Sequence, residues 1–440
     1  MSQKVVIIGS GVFGMSTALW MLQTEKDKYD VTILEKCETV PAPDAASTDI
    51  NKIIRAGDYA DPELSALSVE AVEMWKRPEW EGCYHESGVM CLSGSDPRGT
   101  QYVQESFKNC ETLNLEPRAK KSSAEIKGVF PPELVTGEFP DRVGYHNVTG
   151  GWAESGRSIE IGLRRVKELG GKIIAGAEAV SFQKTKDGKT VTGVVLKDGR
   201  VIPADLVVVA AGAWTPSLLE SPAVAARLPP VVATGQTVCI IQLTPEEAAI
   251  QSKVPVVFNL DNGFYIFPPT ADGQVKMAIH NKGWTSSLGP SAFGRNISVP
   301  RTKLSADADL GTLPAEAVHT IRAHLRDHYP ELAKKPFSEV RMCWYCDTVT
   351  GDWLVDYHPD YTNLFVMTGC SGHAFKFAPN LGREMLALIE RRPTQFTDRF
   401  SFAPTHPHGA DYRGGEIREI NLKELAGPTD LLPYGRPSRL

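Results

Sequence analysis

The sequence predicts an α/β fold: a parallel-sheet domain assembled from distant segments, with a mostly antiparallel α+β domain inserted into it. Three observations support this prediction. The chain opens with an apolar strand, a glycine-rich turn and a helix. Two later apolar runs, at 204–211 and 363–367, are typical of strands buried on both faces. Between them, residues 221–300 carry short runs that are typical of an antiparallel sheet.

The first 35 residues predict a βαβ unit. An apolar strand is expected over 4–8 and a helix over 15–24. A second strand is expected over 29–34 and ends at Glu35. This order predicts a parallel pair of strands, because parallel strands need a crossover connection and a helix usually supplies it.

Later segments predict further pieces of the same domain. A helix over 158–169 leads into a strand over 170–174, and the strand at 204–211 ends in a Gly-Ala-Trp turn. The strand at 363–367 runs into a Gly/Ser turn, and a helix over 380–390 follows it. The domain is therefore expected to be discontinuous.

The domain division follows from this pattern. The runs assigned to the inserted sheet are 238–241, 256–258, 263–267 and 275–279. We assign residues 1–85, 150–220 and 340–400 to the first domain, and residues 86–149 and 221–339 to the inserted domain. Residues 401–440 show little periodicity and are expected to form a C-terminal tail on the surface.

Composition limits the classes of partner. The 440 residues are 42% hydrophobic and 23% charged, and the formal net charge of -6 argues against nucleic acid. No apolar run approaches the roughly 18 residues that span a bilayer. The N-terminus also lacks the pattern of a secretory signal. We therefore expect neither a nucleic-acid partner nor a membrane.

Eight cysteines are scattered along the chain, which predicts reduced, buried thiols rather than a disulfide framework. Cys343 and Cys346 have CxxC spacing, but no second pair completes a zinc site, so no metal is expected. The chain ends in Ser438-Arg439-Leu440, a variant of the Ser-Lys-Leu peroxisomal address. We expect a peroxisomal protein if this tripeptide is used and a cytoplasmic one otherwise.

The glycine turn after the first strand matches the G-x-G-x-x-G fingerprint of a Rossmann-like dinucleotide site. Gly9 permits the tight turn, Gly11 lets a pyrophosphate approach the backbone, and Gly14 lets helix and strand pack closely. Glu35 ends the second strand, where a carboxylate accepts hydrogen bonds from ribose hydroxyls. The spacing alone does not separate NAD from FAD. The N-terminal placement and the later Ala-Ala-Gly-Ala-Trp strand end at 210–214 favour FAD.

Three segments near the C-terminus carry a family resemblance. They are Arg341-Met342-Cys343-Trp344-Tyr345, Asp356-Tyr357-His358-Pro359 and Ser371-Gly372-His373-Ala374-Phe375-Lys376-Phe377. Together with the N-terminal turn, these segments resemble the family of monomeric sarcosine oxidase, pipecolate and saccharopine oxidases and the fungal fructosyl amino acid oxidases (amadoriases). The resemblance covers nearly the whole chain.

The resemblance implies FAD linked covalently through its 8α position to a cysteine. Cys343 is the matching residue, and a thioether would fix the isoalloxazine ring and raise its potential. Cys346, three residues further on, is the alternative attachment residue. The other interpretation of Cys343 is a buried structural thiol. We expect further cofactor contacts at Val12, Phe13, Lys36, Ser47, Thr48, Val180, Ala211, Gly212, Trp214, Gly372, His373 and Lys376.

Four residues are expected to act in catalysis. The resemblance places Lys276 where the family has the lysine that activates oxygen, although the pattern alone fits a solvated lysine. It also implies that Lys52 lies close to the flavin and that Tyr265 and His280 line the substrate side. The competing interpretation is that Tyr265 and His280 are aromatic rings packed in the core. For His280 the packing interpretation has nearly the same weight as the substrate-lining one.

Substrate binding is assigned to Arg55, Lys376 and Arg413. In the resemblance the arginine that ends Asn-Lys-Ile-Ile-Arg binds the substrate carboxylate, so Arg55 and Lys376 would form a cationic clamp. Amadoriases generally lack this arginine and place a glutamate near the position of His280. Arg413 could contact a second carboxylate, although a surface position is favoured.

These assignments predict a FAD-dependent oxidase of N-substituted amino acids. A hydride would pass to the flavin, water would hydrolyse the resulting iminium, and oxygen would be reduced to hydrogen peroxide. The expected partners are a small amino acid and O2, and the protein is expected to be a monomer. An amadoriase, a flavin dehydrogenase or monooxygenase, and a non-catalytic FAD-binding protein are the alternatives.

Overall fold

The computed structural model describes residues 2–25, 27–305, 307, 311, 313–405 and 412–433. The terminal tripeptide 438–440 therefore lies outside the described residues. The α-helices of the described part are α1 Val12–Thr24, α2 Pro62–Trp75, α3 Pro97–Thr112, α4 Ser123–Lys127, α5 Ser155–Glu168, α6 Thr215–Leu219, α7 Pro245–Gln251, α8 Ala315–His328 and α9 Leu381–Ile389.

The strands, numbered in chain order, belong to two large sheets and three small ones. They are β1 Gln3–Ile8, β2 Tyr29–Leu34, β3 Lys52–Ile54, β4 Tyr84–His85, β5 Val89–Ser93, β6 Arg118–Lys120, β7 Val143–Asn147, β8 Gly151–Ala153, β9 Lys172–Ile174, β10 Ala179–Lys184, β11 Val191–Leu196, β12 Val201–Pro203, β13 Leu206–Val209, β14 Val231–Gln242, β15 Val256–Asn259, β16 Phe264–Ile266, β17 Gln274–Ile279, β18 Trp284–Thr285, β19 Ser287–Pro290, β20 Asn296–Ser298, β21 Glu339–Thr348, β22 Leu354–Tyr357, β23 Leu364–Thr368 and β24 Arg418–Glu419.

The first large sheet is the predicted parallel sheet. Its strand order is β22-β23-β13-β1-β2-β9, and every neighbouring pair is parallel except β22–β23. Helix α1 packs beside α5 and α9 on one side of it. At the crossing with α9, a Cβ on Gly382 would lie 2.0 Å from the Ser16 carbonyl oxygen, so the two helices approach closely only because this residue is glycine.

The second large sheet has ten strands and is mostly antiparallel. The order β24-β18-β14-β17-β16-β15-β5-β7-β6 is completed by β21, which pairs with β14. The parallel pairs β15–β5 and β18–β24 are its exceptions. Helix α8 covers one face with an apolar stripe that includes Val318, Ile321 and Leu325.

These two sheets confirm the predicted fold class, an α/β arrangement with a discontinuous Rossmann-like domain and an inserted α+β part. Residues 339–348, most of which the sequence division places in the first domain, pair here with residues 231–242 of the antiparallel sheet. The domain boundaries themselves stay a prediction.

Within the described residues, no helix is both long and apolar enough to cross a bilayer. All eight cysteines lie in this part of the chain, and none forms a disulfide. Six of them are buried, while Cys37 and Cys370 are partly exposed. The same residues contain no cluster of three or more metal-ligating side chains.

Candidate active site

The site lies against the face of the antiparallel sheet opposite α8. Side chains alternate between the two faces of a strand, so Cys343 and Tyr345 of β21 share one face while Met342 and Trp344 share the other. Tyr265 of β16 packs in the same cluster as Cys343 and Tyr345. Residues distant in sequence are thereby brought to one surface.

A cavity of about 670 Å³ lies at the carboxyl ends of β1, β2 and β13 of the parallel sheet, and Trp344 of β21 and Cys370 also line it. Its volume is within the range of small-molecule sites. Eleven of the predicted cofactor residues line it: Gly9, Gly11, Val12, Phe13, Glu35, Lys36, Ser47, Val180, Ala211, Gly212 and Trp214. The predicted contacts from distant segments therefore meet at one cavity.

The glycine turn fits a dinucleotide for steric reasons. Gly9 has φ +110°, and a Cβ there would lie 2.4 Å from the Ala210 carbonyl oxygen. A Cβ on Gly14 would lie 2.0 Å from the Gly9 carbonyl oxygen, so α1 packs directly on the turn. Gly14 does not line the cavity itself. Its role is to bring the start of α1 close to β1.

The start of α1 provides donors for an anion. Gly11 is the N-cap, and no side chain of the described chain caps the helix, so its first N–H groups are free for a pyrophosphate. Glu35 is held beside them, because the backbone N–H and the hydroxyl of Ser10 donate to Glu35 Oε2 at 3.1 and 2.7 Å. Ribose binding by Glu35 stays a prediction.

Two polar residues that follow Ser47 in the chain have buried atoms without partners in the described chain. The Thr48 hydroxyl and both amide atoms of Asn51 are buried and have no hydrogen-bond partner among the described residues. Buried polar groups without partners are costly. Neither Thr48 nor Asn51 lines either cavity, however, so cofactor binding by Thr48 stays a prediction. Lys36 lies 3.6 Å above the Trp214 ring, where it forms a cation–π contact.

A second cavity, of about 100 Å³, adjoins the first. Val12, Ala46, Ser47 and Cys370 line both cavities. The smaller cavity brings together the predicted residues Lys52, Arg55, Tyr265, His280, Gly372, His373 and Lys376. Its remaining wall is largely aromatic and includes Phe258, Phe267 and Tyr345.

Two buried basic side chains face this smaller cavity. Arg55 NH1 donates to the carbonyl oxygen of Asp58 at 2.9 Å and to the hydroxyl of Tyr102 at 2.6 Å. Lys376 Nζ donates to the His373 carbonyl oxygen at 2.7 Å and to the Tyr59 hydroxyl. Within the described part of the chain, neither Arg55 nor Lys376 has a carboxylate at ion-pairing distance.

Burial and neighbouring positive charges determine the protonation of this pocket. Burial, followed by the charge of Arg55, holds the pKa of Lys376 well below its usual value. The pKa of His280 is also held well below its usual value, by burial and then by the charges of Arg413 and Arg55. Burial raises the pKa of Tyr265 to about 12, although Lys52 opposes the shift. His280 and Tyr265 therefore present neutral rings to the cavity.

Asp49 is the centre of a charge cluster that the sequence analysis missed. Its carboxylate accepts from Lys276 Nζ at 2.6 Å, from Lys52 Nζ at 2.8 Å and from Arg341. Burial alone would raise the pKa of Asp49, but these three cations hold it well below its usual value. A fully buried carboxylate therefore stays ionised here.

Lys276 lies behind the cavity wall. Its side chain is fully buried, its Nζ also donates to the Asn51 carbonyl oxygen at 2.5 Å, and it lies 4.8 Å from the Phe267 ring centre. The solvated-lysine interpretation is therefore wrong. Lys276 lines neither cavity, and Lys52 is the member of the charge cluster that does.

Cys343 and Cys346 project from opposite faces of β21. Cys343 belongs to the cluster on the site face, with its Sγ 3.6 Å from Lys52 Nζ. Cys346 packs on the other side, where it accepts a hydrogen bond from the Thr368 hydroxyl at 3.1 Å. Cys370 lines both cavities, whereas Cys343 is buried beside them and lines neither.

Arg413 is not a surface residue, contrary to the position that the sequence favoured. Its side chain is only 10% exposed and forms an ion pair with Asp347 at 2.8 Å. It does not line the smaller cavity, although its charge acts on His280. Contact between Arg413 and a second carboxylate stays a prediction.

Several residues of the site carried no sequence signal. Asp49 lies in an irregular segment with no periodicity, and Tyr59 and Tyr102 hold Lys376 and Arg55 from a loop and from helix α3. Arg341 was part of the family motif. It lies two residues before Cys343 on the same strand, and side chains two residues apart share a strand face, so its presence at the site could have been predicted.

Substituting Gly14 tests the steric account of the turn. Gly14→Ala should weaken FAD binding about tenfold or more, because the new methyl group overpacks the turn at a cost of ~1–3 kcal/mol. The measurement is the FAD-to-protein absorbance ratio during titration of flavin-free protein in which Cys343→Ser removes the proposed covalent link. Gly427→Ala is the matched control, since its Cβ would meet nothing closer than 3.9 Å. Equal affinity in both variants would contradict the account.

Comparison with known proteins identifies the family. The model of the family described as DAO, FAD dependent oxidoreductase, matches residues 4–388. L-saccharopine oxidase of Schizosaccharomyces pombe is 31% identical, over 88% of this chain and 90% of that protein. Human peroxisomal sarcosine oxidase is 24% identical, over 91% of this chain and 94% of that protein.

Among solved structures, the deglycating fructosamine oxidase of Aspergillus fumigatus (Amadoriase II) superimposes with a TM-score of 0.77. It is 26% identical, and the match covers 91% of this chain and 89% of that one. The family match spans the glycine turn, both cavities and the face of β21. The chain therefore belongs to the FAD dependent oxidoreductase family, and its cofactor is FAD.

Proposed function

We propose that the protein oxidises small N-substituted amino acids at the C–N bond, with oxygen as the electron acceptor. One observation carries the proposal: Arg55 is a buried cation, Lys376 is a buried amine whose pKa is lowered by burial and by Arg55, and neither has a carboxylate partner in the described chain. A buried charge without a counter-ion is costly, so this pair favours an anionic ligand. A substrate carboxylate fits, because a guanidinium binds it through two parallel hydrogen bonds.

The neutral side chains that line the cavity beside Arg55 and Lys376 favour the amine part of the substrate. His280 and the rings of Phe258, Tyr265 and Tyr345 offer no carboxylate to an ammonium group. An amine is therefore favoured in its neutral form, which retains the lone pair that an oxidation to the imine requires. FAD, held by the residues that line the larger cavity, would supply the two-electron chemistry of this reaction: it would take up a hydride from the carbon next to the nitrogen, and oxygen would be reduced to hydrogen peroxide.

The small cavity favours compact substrates over larger ones. Its volume of about 100 Å³ suits an N-methyl or cyclic amino acid better than saccharopine or a fructosyl amino acid. His280 also differs from the glutamate that we expect in amadoriases. Sarcosine- or pipecolate-type oxidation is therefore the favoured proposal, and an amadoriase activity is the second candidate because of the structural similarity to Amadoriase II.

We also propose that Lys276 assists the reaction with oxygen. A fixed positive charge stabilises the negative charge that develops on oxygen, without itself transferring a proton. Burial, opposed by Asp49, lowers the pKa of Lys276 to about 7. The ammonium form is therefore lost as the pH rises through about 7, and the oxygen reaction should become slower over that range.

Cys343 is proposed as the covalent attachment site. Three observations support it: the thiol lies on the site face of β21, it is next to Lys52, and Cys346 projects to the other face.

Peroxisomal targeting by the tripeptide 438–440 and a monomeric state are further proposals. The first is supported by the relative named peroxisomal sarcosine oxidase and by the production of peroxide in the proposed reaction.

Peroxide release across a substrate panel tests the function. We expect release with sarcosine or pipecolate and little with saccharopine or a fructosyl amino acid. Arg55→Ala should raise the KM for pipecolate about 10- to 100-fold, because a hydrogen bond to a charged group contributes ~1.5–3 kcal/mol.

Two controls separate the clamp from general damage. The effect of Arg55→Ala should disappear with pipecolamide, which has no carboxylate. Arg200→Ala, an exposed arginine paired with Asp198, should leave the KM unchanged. An unchanged KM for pipecolate in Arg55→Ala would refute the clamp. Turnover of every substrate without peroxide would instead indicate a dehydrogenase.

Acid precipitation tests the covalent link. The wild-type pellet should stay yellow, Cys343→Ser should give a colourless pellet, and Cys346→Ser should stay yellow because that side chain projects away from the site. A yellow Cys343→Ser pellet would contradict the assignment.

Removing residues 438–440 tests the targeting proposal. A fluorescent fusion at the N-terminus should label peroxisomes with the full chain and become diffuse after the deletion. Peroxisomal label that persists after the deletion would show that the tripeptide is not the address.

A further inference from the structure

The segment before β3 holds Lys276 by two acceptors. Its Nζ donates to Asp49 Oδ2 at 2.6 Å and to the Asn51 carbonyl oxygen at 2.5 Å. Lys52 binds the same carboxylate oxygen at 2.8 Å, and Arg341 binds Oδ1. Asp49 thus connects three segments of the chain through a single side chain that is fully buried.

The cluster contains three cations and one anion. Lys52 and Arg341 are partly solvated, with side chains 17% and 18% exposed, whereas the Lys276 side chain is 0% exposed. Solvent therefore helps to stabilise two of the charges but not the third. Lys276 depends most on the carboxylate, because it has no other anion among the described residues.

We propose that Asp49 is a positioning residue that fixes Lys276 and Lys52 relative to the cofactor and keeps Lys276 positively charged. The proposal rests on the oxygen role of Lys276 for its functional meaning. The charged groups that face Lys276 are Asp49 and Lys52 from one segment and Arg341 from β21. Phe267 faces it with an aromatic ring.

These neighbours act in opposite directions on the pKa of Lys276. Burial lowers it most, Asp49 raises it, and Lys52 and Arg341 lower it. Removing the negative neighbour and removing a positive neighbour should therefore shift the titration of Lys276 in opposite directions. A structural role for Asp49 alone would not produce such a pair of shifts.

The experiment is a pH titration, from pH 5 to 9, of the visible absorbance of the resting holoenzyme without substrate. The wild type should show a transition near pH 7 that is absent in Lys276→Met. Asp49→Asn should move the transition about one unit or more to lower pH, and Lys52→Met should move it about one unit to higher pH. Asp49→Glu keeps the charge and should stay close to wild type.

Asp30→Asn is the matched control, because Asp30 is an exposed carboxylate paired with Lys172 and should leave the transition in place. An unshifted transition in Asp49→Asn, or shifts of the same sign in Asp49→Asn and Lys52→Met, would overturn the proposal. If Asp49→Asn does not retain FAD, the Lys52→Met variant decides between the outcomes. A transition that does not shift in Lys52→Met would show that the cluster does not set the charge of Lys276, and the proposal would fail.

The same variants separate this proposal from the proposed function. The rate at which oxygen oxidises the substrate-reduced enzyme should decline over the same pH range as the absorbance transition. If Lys276→Met reacts with oxygen at the wild-type rate while Asp49→Asn still shifts the absorbance transition, the oxygen role fails and the positioning role holds.

Discussion

The burial of positive charge is the constraint on which the rest of the site depends. Arg55, Lys276 and Lys376 are buried, and the side chains of Lys52 and Arg341 are only 17% and 18% exposed. Asp49 is the one ionised carboxylate that contacts members of this group in the described chain. Desolvated like charges repel, so the group is stable only with a firmly held counter-ion and with further anionic ligands. The protein thus neutralises part of this charge itself, through Asp49, and leaves Arg55 and Lys376 without a carboxylate partner in the described chain.

Strand alternation explains how the site is assembled. Phe258, Tyr265, Cys343 and Tyr345 are separated by up to 87 residues, yet they share one face of one sheet because each occupies the same parity on its strand. A slip of one residue in the pairing of β14 with β21 would move Cys343 to the face covered by α8. The pairing register of the sheet therefore determines which side chains face the site.

The sequence predicted the parts of the molecule that have local signals. The βαβ unit, the later parallel strands and the inserted sheet follow from hydrophobic periodicity and glycine spacing, and Arg55, His280 and Lys376 followed from family motifs. The role of Asp49 could not be predicted, because it depends on contacts with Lys276 and Arg341, which are 227 and 292 positions further along the chain. The depth of Lys276 and the burial of Arg413 are likewise tertiary properties that a local pattern does not contain.

The shared wall of the two cavities has an evolutionary consequence. Val12, Ala46, Ser47 and Cys370 border both, whereas the rest of the smaller cavity is lined by strands of the antiparallel sheet and by the segments 52–55 and 372–376. Substitutions at those other positions can change the smaller cavity without altering the residues that line the larger one. A single cofactor domain can therefore be combined with different smaller cavities during evolution.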